Sequence, residues 1–156
     1  MHYRKMTSQD VPIIFEIAIA GREKSFTREA LYAVGITEEF VADTLDGARS
    51  HEGWICECDG KVVGFSMANR STGELWVMAV QNEYERQGIG SKLHTLALDW
   101  LISLGFKEAW LGVLQDIQVT AYAFFTKRGW GDDEMRGAFR IMKKPLVDAP
   151  VSASTR

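Results

Sequence analysis

A chain of 156 residues, 46% hydrophobic and 25% charged, has the length of one domain and the composition of an ordinary soluble globular one. Its formal net charge of -3 lacks the basic excess of a general nucleic-acid binder, and no apolar run is long enough to span a membrane. Cys56 and Cys58 have neither a second cysteine pair nor clustered histidines beside them, which argues against a bound metal and suits a reducing cytoplasm.

His2 to Met6 reads as a first strand. The apolar run Val11 to Ala20 follows Arg4 and Lys5 as in a secretory leader, but Asp10 and Glu16 interrupt it and no clear cleavage site follows. A helix from about Gln9 to Gly21 is the better reading, with Thr7 and Asp10 at its start and Pro12 in the first turn. Ile13, Ile14, Ile17 and Ala18 form its apolar face. Thr27 and Thr37 each cap a further helical stretch with acidic residues in the first turn, where the helix dipole favours them.

Three strands come next: Gly53 to Glu57, Lys61 to Asn69 after the Asp59-Gly60 turn, and Leu75 to Val80 after Ser71 to Gly73. The last is apolar at every position, as a central strand covered on both faces would be. A long helix follows Gly88, with Ile89, Leu93, Leu96, Ala97, Trp100, Leu101 and Leu104 at helical spacing and Gly105 just past its end. On this stripe His94 lies off centre and is expected at the surface or boundary. Then come a strand from Glu108 to Leu114, a helix from Gln118 to Lys127, and a hairpin running from Trp130 and returning over Ala138 to Lys143. This order predicts an α/β (α+β) architecture, a mixed sheet with helices on both faces. One domain over residues 1–145 and a loose tail over 146–156, rich in small residues, are expected.

The segment Glu85-Arg86-Gln87-Gly88-Ile89-Gly90-Ser91 joins the apolar strand to the long helix. Unpaired N–H groups at a helix N-terminus carry partial positive charge, and glycines let an anion approach them closely. A pyrophosphate fits such a turn, with Arg86 and Ser91 as added donors. The segment lacks both P-loop spacing and the third glycine of a dinucleotide-binding loop, which Leu93 replaces.

With these residues the chain resembles the GNAT superfamily of N-acetyltransferases over about residues 2–143. Trp76-Val77-Met78-Ala79-Val80, then Gln87-Gly88-Ile89-Gly90, is similar to the family's fourth strand and pyrophosphate loop, with Glu85 where Gln or Arg is usual. Gln118, Ala121, Phe124, Phe125, Gly129 and Trp130 resemble its second motif. The resemblance implies a mostly antiparallel sheet whose strands 74–80 and 108–114 splay into a cleft for acetyl-CoA. It implies cofactor contacts from Met78, Ala79, Val80, Arg86, Gln87, Gly88, Ile89, Gly90, Ser91, Gln118 and Phe125, with the Met78 N–H as an oxyanion donor. Glu74 aligns with the glutamate that serves as general base in the histone-acetylating branch. Phe125 stands where many members use a tyrosine as acid, and Tyr122, one turn earlier, is the candidate substitute. The acceptor is then a small-molecule or peptide amine, with neither nucleic acid nor membrane involved, and a homodimer is compatible with this family. The connection Gly21 to Ala30 is where the family shapes its acceptor pocket. A non-catalytic CoA-binding sensor is the alternative that Phe125 leaves open.

Overall fold

The computed structural model describes residues 1–20 and 26–147. Most of the connection expected to shape the acceptor pocket (21–25) and the tail 148–156 lie outside the described residues. Among the described residues, seven strands and five α-helices follow the order read from the sequence: β1 His2–Lys5, α1 Val11–Ile19, α2 Arg28–Ala33, α3 Glu38–Asp46, β2 His51–Cys58, β3 Lys61–Asn69, β4 Leu75–Val80, α4 Ile89–Ser103, β5 Glu108–Leu114, α5 Val119–Lys127, β6 Gly131–Arg136 and β7 Phe139–Pro145. The expected mixed sheet is two antiparallel sheets, ordered β1-β2-β3-β4 and β5-β7-β6, joined by one parallel bridge from Glu74 to Trp110.

Local chemistry starts the helices as anticipated. The Thr7 N–H donates to Asp10 Oδ2 at 2.8 Å, closing a capping box on the 3₁₀ turn Ser8–Asp10 that feeds α1. Arg4 grips the same carboxylate, at 2.8 Å to Oδ1, so β1 and the entry to α1 are tied together. Thr27 and Thr37 accept from Ala30 and Phe40 N–H groups at the starts of α2 and α3. The short α2 buries no residue; Leu31 packs against the core, and Arg28 pairs with Glu16 of α1 at 2.6 Å and with Glu38 of α3.

Helices cover both faces of the four-stranded sheet. On one face α1 and α3 pack Val11, Ile14, Phe15, Ile17 and Val41 against Ile55, Phe65 and Met67. On the other, α4 packs Ile89, Leu93, Ala97 and Leu101 with Cys56, Val63 and Leu75. The buried Ser66 hydroxyl donates to the Leu93 carbonyl at 3.1 Å and pins α4 to β3.

Two expectations are corrected here. His94 is buried, 6% exposed, because the face of α4 that meets α5 is turned past the apolar stripe. Trp130 anchors it there, donating its indole N–H to His94 Nε2 at 3.0 Å, while Leu104 of the expected stripe is 41% exposed. The second concerns β4, which is the last strand of its sheet rather than a fully covered central one. Beyond Leu75 its residues are only half-buried, because its free edge faces the gap to β5.

Candidate active site

The gap begins where β4 and β5 are tied. The Trp110 N–H donates to the Gly73 carbonyl at 3.3 Å, and the indole N–H to the Thr72 carbonyl at 3.1 Å. Past this tie the strands diverge. The Gln81 N–H bonds the Val63 carbonyl at 2.8 Å, so antiparallel alternation makes Ala79–Phe65 a bonded pair and Met78–Ser66 a non-bonded one. The amides of Met78 and Val80 therefore point away from β3, toward the open edge. A bulge at Trp76 strengthens the effect. Val77 opposes Met67 and Leu75 opposes Ala68, so Trp76 is the extra residue, and Trp76 and Val77 both pack toward α1.

Two connected cavities fill the gap. The larger, about 530 Å³, runs from β4 to the start of α4 and is walled by α5. Met78, Ala79, Val80, Arg86, Gly88, Gly90, Ser91, Gln118 and Phe125, all expected from the sequence, line it. Gln87 and Ile89 do not. Gln87 is exposed, and Ile89 is 1% exposed within the core, so Ile89 has only its backbone to offer. Gly88 holds φ +82° with open space around it, and Arg86 before it holds φ 66°. This left-handed turn is one that glycine adopts without strain. Gly90 serves a different purpose: a Cβ there would stand 3.3 Å from the Phe124 ring, so the glycine lets α4 start against α5.

Gln118 and Tyr122 are turned differently from expectation. Gln118 Oε1 accepts the Leu114 N–H at 2.7 Å, capping the end of β5 while still lining the cleft. Tyr122 is not brought to the cleft: its hydroxyl donates to Asp132 at 3.1 Å, and Arg140 lies over its ring and pairs with Asp132. Three residues at about 100° each leave Tyr122 only about 60° round the helix from Phe125, so it is the bond to Asp132 that draws its hydroxyl away from the cleft.

Phe124, Arg128 and Glu85 also line the cleft. Phe124, expected as plain core, lines the cleft beneath Arg128, whose guanidinium sits 3.5 Å above its ring. Arg128 also donates to Ser91 Oγ at 2.6 Å, which places a second cation at the α4 N-terminus beside Arg86. Desolvation holds the Arg128 pKa below its usual value. The resemblance to the family names Lys127 and Arg128 together as candidates for the CoA phosphates, and of the two Arg128 lines the cleft. Glu85 lines the same cleft.

The smaller cavity, about 160 Å³, lies on the α1 side of the splay. Ile14 and Phe15 of α1, Leu31, Ile36 and Val41 from the α2–α3 region, and Leu111 and Val113 of β5 line it with Phe65, Met67 and Trp76 of the sheet. It shares Ala18, Phe26, Val77, Met78, Gln118, Ala121 and Phe125 with the larger cavity, so the two adjoin along a seam that includes Met78. Nothing in the sequence flagged this second cavity, because its lining is scattered over α1, α2, α3, β3, β4, β5, α5 and the connections between them.

Glu74 sits at the tied end of the splay, just before Leu75 and Trp76, which line the smaller cavity. Burial pushes its carboxyl up to about 7, near the range in which a group both accepts and releases protons at neutral pH. Burial likewise holds His51 and His94 down at about 4, with Arg128 and Lys144 also opposing charge on His94. His51 lies against Trp76 at 4.6 Å and His94 against the Phe125 and Trp130 rings. Among the described residues no group of three His, Cys, Asp or Glu side chains is placed to hold a metal, and no helix is long and apolar enough to cross a membrane.

This arrangement has relatives. The chain resembles in fold the PaiA N-acetyltransferase from Thermoplasma acidophilum in complex with coenzyme A, at TM-score 0.78 and 18% identity, over 93% of this chain and 99% of that one. The ribosomal-protein-S18-alanine N-acetyltransferase from Escherichia coli matches at TM-score 0.72 and 19% identity, over 95% of each chain. Ard1 from Thermoplasma volcanium matches at TM-score 0.69 and 18% identity, over 94% of this chain and 98% of that one. No curated protein matches the sequence. The family model described as the acetyltransferase (GNAT) family matches residues 12–130, and with that match spanning both the splayed strands and the glycine turn, the chain belongs to that family.

Proposed function

We propose that this acetyltransferase moves the acetyl group of acetyl-CoA directly onto a primary amine, with no acyl-enzyme. The observation that carries the reading is the seam at Met78: its amide points away from β3, and its residue is shared by the cleft at the α4 N-terminus and the smaller apolar cavity. The cleft fits the donor. Gly88 leaves open space at a helix N-terminus, and Arg86, Ser91 and Arg128 surround it with donors suited to a pyrophosphate. The thioester supplies an activated acyl group. The residues then supply the rest. The Met78 N–H faces the oxygen on which negative charge grows during attack and stabilises it. Glu74, at the tied end of the splay and outside both linings, takes through water the proton that the amine must lose. Phe125 closes the seam against water. Its ring donates no proton, and a thiol pKa of about 8.5 makes unassisted departure of the CoA thiolate tolerable.

Tyr122 has no part in this scheme, because Asp132 holds its hydroxyl. No cysteine lines either cavity among the described residues, in keeping with direct attack. The test is release of free thiol from acetyl-CoA over a panel of primary amines. Amine-dependent release is expected. Binding of CoA without release for any amine would replace the enzyme reading with that of a sensor.

A further inference from the structure

The smaller cavity carries information about what attacks. All of its described lining side chains are apolar except Gln118, whose amide oxygen is already engaged by the Leu114 N–H. Five aromatic rings surround it: Phe15, Phe26, Phe65, Trp76 and Phe125. A second ammonium placed there would be desolvated with no charged side chain among these groups to pair with, and a carboxylate would find only neutral side-chain donors such as the Gln118 amide. An apolar body would be welcomed.

Size narrows the choice. The cavity measures about 160 Å³. An apolar protein cavity of about 150 Å³ lined by Leu, Ile and Phe stays dry and takes up one benzene. An acetyl group needs only the seam at Met78, so the volume beyond it on the α1 side is left for the acceptor. The walls are drawn from α1, the α2–α3 region, β4 and β5, and Arg28 ties α1, α2 and α3 together through Glu16 and Glu38.

Building on the acetyl-transfer reading, we infer that the acceptor is a primary amine joined by a short carbon link to one uncharged aromatic ring, the ring filling this cavity and the amine standing at the seam. Polyamines and peptides that present a charged body at this point are disfavoured by the same lining.

The experiment uses the full chain and follows thiol release from acetyl-CoA with 2-phenylethylamine, propylamine, spermidine and the tripeptide Ala-Lys-Ala. The expected result is a kcat/KM for 2-phenylethylamine at least about tenfold above each of the others, the scale set by burying one ring. Leu31 lies half-buried on α2, so Leu31→Asp and Leu31→Trp alter the cavity from its wall. Both should lower the ratio of 2-phenylethylamine to propylamine kcat/KM by about tenfold or more, one by charge and the other by filling. Melting temperatures and the CoA-induced shift verify that each variant is folded and holds its donor. Preference for spermidine or the tripeptide would overturn the inference while leaving acetyl transfer intact. So would an unchanged ratio in two folded Leu31 variants. Hexanoyl-CoA outperforming acetyl-CoA with propylamine would assign the cavity to the acyl chain and overturn it as well. No thiol release with any of the four amines, with CoA still raising the melting temperature, would overturn both readings together.

Discussion

Glu74→Gln tests the proposed chemistry most directly. An alkylamine with the pKa of a lysine side chain, about 10.4, is neutral in only about 1 molecule in 2,500 at pH 7. A carboxyl raised to about 7 by burial is half ionised at that pH and can strip the bound ammonium inside the site. The wild-type rate should therefore climb about fivefold from pH 6 to 7 and level near pH 8, tracking that group. Glutamine keeps the shape and removes the base, so the variant must capture amine that is already neutral. Its rate should rise about tenfold per pH unit, its inflection moving from about 7 toward the amine's own value near 10. At pH 7 the deficit should be about 10²–10⁴-fold, narrowing steadily as the pH rises. The assay is initial thiol release at saturating acetyl-CoA between pH 6 and 10, with CoA affinity measured separately. Folding is not the confounder. A carboxyl whose folded pKa is raised contributes stability only at low pH, lost as pH rises from the unfolded value through about 7, so the variant is expected to be no less stable in neutral solution. An inflection that stays near 7 in the variant would assign the titration to another group and refute the role of Glu74.

The other predictions address the cleft and the core. Acetyl-CoA at about 100 times its dissociation constant should add roughly 2.7 kcal/mol of stability, and Gly88→Asp should abolish the thermal shift by setting a carboxylate at the anion site; a retained shift would move the donor elsewhere. Phe125→Tyr should change turnover by less than about tenfold, or 1.4 kcal/mol, and Tyr122→Phe by less still, since the Tyr122 hydroxyl is held by Asp132; activity appearing only in Phe125→Tyr would contradict the enzyme reading. His94 and His51, both held near 4 in the fold against about 6.5 unfolded, bind fewer protons when folded, so their contribution is whole above pH 6.5 and drains away between 6.5 and 4. Urea titrations at pH 7 and pH 5 should show lower stability at pH 5, and His94→Gln should recover about 2 kcal/mol of the loss; an unaltered pH dependence would show that His94 does not titrate on unfolding.

Local order was legible because it is written in contiguous residues. The caps Thr7, Thr27 and Thr37, the Asp59-Gly60 turn and the period of α4 are local signals, and β3, β4 and β5 begin and end where those signals put them. The glycine turn was legible for the same reason: Gly88 and Gly90 sit in one short segment whose backbone must bend and approach closely. What the sequence could not carry is the orientation of one element against another. His94 looked like a boundary residue on its own helix, and became buried when α5 and the turn after it brought Phe125 and Trp130 against that face. Tyr122 looked like a stand-in acid, and the turn of α5 aimed it at Asp132. The split into two sheets, with a single bridge at Trp110, depends on where β5 ends up relative to the free edge of β4. The apolar cavity follows from that split. It is lined by residues more than a hundred positions apart, each ordinary in its own segment, and a cavity is a property of the space between packed elements, which no periodicity or motif within one of them encodes.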